Sequence, residues 1–164
     1  MFRLLMNKVL VALFLFTSYT SFAQIDSVYI LVGRGEKNIT DYFNFLNSQK
    51  NNPYYKIKKS VTPQGDLSLE VEFSLEDESY YKCTFIMAIF QRMEGKEYCI
   101  DQLISGDIQY ANHYLSFIKD NFKSISQNTW EKNHPDIVGL KIVASFNKIE
   151  DDYFSVIFSL REAK

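Results

Sequence analysis

The sequence predicts an α+β fold: one domain with a mainly antiparallel sheet of about six strands and two helices on one face, in the order (β)αββββαββ. Two observations carry this. Two segments repeat apolar residues at three and four positions, while the remaining apolar residues mostly alternate with period two. Most neighbouring strands are also joined by short polar turns, which suits antiparallel pairing, since parallel pairing needs long crossovers.

The elements follow in chain order. Residues 25–32 (IDSVYILV) are apolar and rich in β-branched side chains, and read as a first strand. Gly33-Arg34-Gly35 breaks it. Asn38 reads as a helix N-cap with Asp41 reaching back, and Ile39, Tyr42, Phe43 and Leu46 place a helix over 39–49. Asn51-Asn52-Pro53 ends it. Tyr55, Ile57, Lys59 and Val61 then alternate with charged and polar residues. After TPQGD, Leu67, Leu69, Val71, Phe73 and Leu75 do the same. Pairing Val61 with Leu67 sets Lys58 against Glu70 and Lys56 against Glu72, so the register that buries the apolar face also matches opposite charges.

Residues 80–92 are apolar on both faces, which places that strand inside the sheet. Met93-Glu94-Gly95-Lys96 is a turn, and 97–104 returns. Asp107 reads as the N-cap of a second helix over 108–122, with Ile108, Ala111, Leu115, Ile118 and Phe122 on one face. KSISQNTWEKNHPD reads as a loop. Residues 138–148 and 153–160 form a last hairpin. No internal repeat, linker or low-complexity stretch is evident.

The first residues have the pattern of a secretory leader. Arg3 and Lys8 precede the apolar run Val9 to Phe16, and Ser21-Phe22-Ala23 sets small residues before a cut at Gln24. The run is too short for an anchor, which needs roughly 20 apolar residues. The expected division is a signal peptide over 1–23 and one domain over 24–164, exported to the periplasm or outside the cell, with no membrane span in the mature chain. Losing Arg3 and Lys8 takes the net charge from −2 to −4. A mildly acidic chain argues against nucleic acid, which needs clustered Lys and Arg.

Cys83 and Cys99 are the only cysteines. With the turn at Glu94-Gly95, Cys99 faces Phe90, and Cys83 lies on the order of 23 Å further along the strand. A disulfide needs Cα atoms within about 7 Å. Neither C-x-x-C nor a close-spaced zinc set is present, so no metal or other cofactor is expected. His113 and His134 stand alone, no G-x-S-x-G occurs, and Gly33-Arg34-Gly35 lacks the third glycine of a dinucleotide loop. The acid clusters at 76–78 and 150–152 read as solvated turns.

Tyr110, Tyr114 and Phe117 form a second aromatic stripe beside the apolar face of helix 108–122, as core packing or as a surface for a ligand or partner. Together these features point to a small exported non-enzymatic binding module of unknown ligand. The partner is left open between a protein, a homodimer included, and a small molecule. The alternative is a small exported hydrolase with a His113 and carboxylate pocket.

Overall fold

The computed structural model describes residues 28, 30–49, 55–73, 83–93 and 95–163. The leader, the cleavage point, Tyr80 and Tyr81 lie outside them. The described chain is α+β, with two α-helices and one eight-stranded antiparallel sheet. Helix α1 spans Glu36–Ser48. Four strands follow: β1 (Tyr55–Val61), β2 (Leu67–Phe73), β3 (Cys83–Met93) and β4 (Lys96–Asp107). A 3-10 turn (Ile108–Tyr110) leads into α2 (Ala111–Asn121). Four more strands complete the chain: β5 (Lys123–Ser126), β6 (Thr129–Asn133), β7 (Leu140–Lys148) and β8 (Tyr153–Glu162).

The sheet order is β1-β2-β3-β4-β8-β7-β6-β5. It consists of two four-stranded meanders, each preceded by a helix, that meet where β4 pairs with β8. The sequence carries this repeat in one place. Ile86, Ala88 and Phe90 on β3 recur at the same spacing as Ile142, Ala144 and Phe146 on β7, and all six are buried. The repeat escapes a linear scan because only core positions keep it, while helices, turns and outer strands differ between the halves.

The first hairpin has the expected register. Val61 faces Leu67, Lys58 faces Glu70 and Lys56 faces Glu72, and Lys58 lies 3.3 Å from Glu70. Phe90 faces Cys99 as expected, beside a register shift between Ile89 and Phe90 that leaves Ile100 bulged out of the pairing.

Other expectations are corrected. The sheet has eight strands rather than about six, because most of the expected loop 123–136 forms β5 and β6. They are short and polar, and Trp130 is the one buried side chain between them. Polar outer strands resist edge-to-edge association, so the apolar alternation that marks an inner strand is missing there. Their turn is tight, with Asn128 in the left-handed region at φ 63°. The expected first strand is not one at its described residues. Val28, Leu31 and Val32 are buried as a packed segment. Gln102, itself buried, accepts a hydrogen bond from the Leu31 amide at 2.8 Å. Helix α1 starts after Gly35 rather than Asn38, with Glu36 in the first turn, where a negative charge suits the helix dipole.

One core lies between the sheet and the helices. Phe43 of α1 packs on Tyr55 of β1, and Tyr114 of α2 packs on Phe154 of β8, with ring centroids 5.6 and 5.1 Å apart. Phe122, just past α2, packs on Phe158. Both helices therefore lie on the same side of the sheet.

Candidate functional site

The aromatic stripe on α2 does not form one exposed surface. Tyr114 is 2% exposed. Tyr110 and Phe117 are half-buried and packed against the core. Helical spacing shows that these residues share a side of α2, but not which side meets the sheet. Ala111, Tyr114 and Ile118 make that contact, while Leu115 is only half-buried.

The other side of the sheet is different. Along each inner strand, the residues between the core positions point away from the helices. At the centre these are Phe85, Met87 and Ile89 on β3, Leu103 on β4, Ile157 on β8 and Val143 on β7. Met87 faces Leu103, and Leu103 faces Ile157; Phe85 and Ile89 flank Met87 along β3, and Val143 lies diagonal to Ile157. All six are only half-buried. Small hydroxyl residues lie among them, with Ser68 facing Ile89 and Ser145 facing Ile157.

Charged residues border this apolar centre, and Asp101 on β4 faces Ile89 directly. On one flank Lys56 and Lys58 face Glu72 and Glu70. On the other, Lys141 pairs with Glu131 at 2.8 Å, and Arg161 reaches Asp101 at 3.3 Å. Asp101 also accepts a hydrogen bond from the Ser159 hydroxyl. Lys123 on β5 faces Glu131 on the same side, so this flank carries Lys123, Lys141 and Arg161 against Glu131 and Asp101, while the first carries two side chains of each sign. The apolar residues on both faces of β3 were visible in the sequence, where they indicated only an inner strand. They also mark a sheet face that no helix among the described residues covers.

A second feature lies at the edge of the helix side. A cleft of about 300 Å³ opens between Val28 with the segment 30–34 and the β6–β7 end of the sheet. Val28, Ile30 and Ile142 give it apolar walls, and Lys132 and Arg34 give it positive charge. Gly33 closes one end. Its φ is +84°, and a Cβ there would fall 2.1 Å from His134 Nε2, so the backbone conformation and the ring both require glycine.

His134 is fully engaged. Its Nδ1 accepts hydrogen bonds from the amides of Asp136 and Ile137 at 3.1 and 3.0 Å. The proton is therefore on Nε2, which donates to the Val32 carbonyl at 3.3 Å. With its lone pair occupied, this ring is a structural clasp and offers nothing to take a substrate proton. His113, the histidine of the expected hydrolase pocket, is not among the cleft residues. It packs edge-on against Tyr114.

The Lys132 ammonium sits 4.4 Å from the centroid of the Phe122 ring, and burial lowers its pKa. No carboxylate among the described residues pairs with it.

Cys99 is a free thiol with no exposure. Burial first, and then the nearby Asp101 charge, push its pKa up to about 12, which makes it a packing residue rather than a nucleophile. The β4–β8 pairing ends at Asp101. Beyond it, the Cys99 carbonyl accepts from the Gly33 amide, and the Cys99 amide donates to the Arg34 carbonyl, both at 2.8 Å. The Cys83 backbone pairs with Gly106 at the far end of β3. Among the described residues no group of three His, Cys, Asp or Glu side chains is placed to hold a metal ion, and no helix is long and apolar enough to cross a membrane. No protein-family model matches this chain, and neither the curated proteins nor the solved structures contain a significant match.

Proposed function

We propose that the mature chain is an exported, non-catalytic binding module that works through the open face of its sheet, and that the occupant of this face is a second copy of the chain. The observation that carries this reading is the continuous apolar centre formed by Phe85, Met87, Ile89, Leu103, Ile157 and Val143 on the side away from both helices. A large apolar patch with a polar rim is characteristic of an interaction site. Strand spacing and rise give the whole eight-stranded face about 800 Å² per copy, which is what a standard stable interface buries on each partner, with the apolar centre making up roughly a third of it. Both flanks carry both signs, which supports a self-partner, because a second copy can set opposite charges together there. Export rests on the leader pattern of residues 1–23.

Sedimentation velocity on the chain from Gln24 onward tests the reading. At about 100 μM the wild type is expected to sediment as a dimer, a weak threshold for an interface of this size. The double variant Met87→Glu, Leu103→Lys puts charges into the apolar centre and should sediment as a monomer with an unchanged circular dichroism spectrum. A monomeric wild type, or a dimer that survives both substitutions, overturns the second-copy reading. A monomer would turn attention to a foreign protein as occupant.

A further inference from the structure

We infer that the cleft between segment 30–34 and the β6–β7 end of the sheet binds a small amphiphilic monoanion, a carboxylate on a short alkyl chain, with Lys132 as its charge partner. The inference is independent of what covers the open face, since the cleft lies on the helix side. A half-buried ammonium ordinarily has a carboxylate or several acceptors beside it, because an uncompensated charge away from water is costly. Lys132 has the face of Phe122 and no carboxylate partner among the described residues. Lys132 also lines a space of about 300 Å³, at the lower end of the range for small-molecule sites.

The walls specify the rest of the ligand. Val28, Ile30 and Ile142 offer apolar surface to a hydrocarbon tail. Arg34 adds positive charge to the same lining, and Asp136, the one acid there, is solvent-exposed. The His134 ring is committed to backbone partners on both nitrogens, so it acts as wall and leaves the anion to Lys132. One half-buried cation against apolar walls favours a single negative charge with a tail over a multiply charged, fully hydrated anion such as phosphate.

The test is a titration of the isotope-labelled mature protein, followed by amide shifts, with hexanoate, hexylamine and inorganic phosphate as probes. Hexanoate should saturate at about 10 mM or below and move the amides of Val32, Lys132 and Ile142. Hexylamine and phosphate should leave them still. Lys132→Met keeps the side-chain stem over Phe122 and removes the charge, and should weaken hexanoate binding by about tenfold or more, as loss of a charge-assisted contact does. Direct observation of the Lys132 Nζ resonance in the wild type supplies a readout that needs no variant, and hexanoate should shift it. No response to hexanoate, equal binding by hexylamine or phosphate, an unmoved Nζ resonance or undiminished binding in Lys132→Met each overturn the assignment.

Discussion

Leu103 and Ile104 are neighbours on β4 and differ by one methyl position, yet they occupy opposite faces of the sheet. Ile104 is 1% exposed, between Ile86 on β3 and Val156 on β8, and the helices lie on its side. Leu103, between Met87 and Ile157, is half-buried. The same strands thus build two apolar surfaces, one consumed in folding and one left over. Apolar content alone cannot separate them. What separates them is whether an element with its own apolar stripe lies above.

The largest expected effect comes from the covered side. Tyr114 sits in the core against Phe154, so of the two readings the sequence left open for it, core packing holds. Tyr114→Ala leaves a cavity under α2 and should cost about 3–5 kcal/mol, as loss of a buried aromatic ring does. Urea unfolding with an unchanged m-value checks it. A cost as small as that of a surface substitution would mean that α2 does not pack as described.

The paired neighbours give the sharper comparison. Ile104→Ala should destabilise by about 2–5 kcal/mol. Leu103→Ala, in the isolated protomer, should cost on the order of 1 kcal/mol, because less apolar surface leaves water there. Measuring both in dilute solution keeps association from masking the difference. Equal costs would show that something covers the open face even in the single chain.

The same contrast explains what could be read in the sequence. The registers of β1–β2 and of the outer end of β3–β4 were legible because alternation and charge matching agree there: one slip by a residue would bury Lys58 and Glu70. Strands β5 and β6 were not legible, because their stability comes from pairing with β7 and from one anchor, Trp130, rather than from a pattern of their own. The repeat was written only in the Ile-Ala-Phe triplets of β3 and β7. The cleft needed three dimensions, since Arg34 and Lys132 are far apart in the chain and meet only when segment 30–34 crosses to β4.

Cys99 gives the smallest and most specific effect. It lies on the covered face with no exposure, so its thiol is held protonated up to about pH 12 by burial and by Asp101. In the unfolded chain the same thiol ionises near pH 9. Below the unfolded value both states bind the proton and the thiol adds no pH dependence. Between the two values the unfolded state loses its proton and the folded state keeps it. The unfolded state then binds fewer protons, so stability falls as pH rises, by at most about 1.4 kcal/mol per pH unit. Chemical denaturation in a Cys83→Ser background, from pH 7 to pH 10.5, isolates this contribution when compared with the same protein carrying Cys99→Ala. The expected result is a decline that begins near pH 9 with Cys99 present and is reduced without it. A thiol-specific reagent should stay unreactive with native Cys99 at pH 8 and react on unfolding. Prompt labelling of the folded protein would place Cys99 in contact with water, and the boundary between the two faces would have to be redrawn at β4.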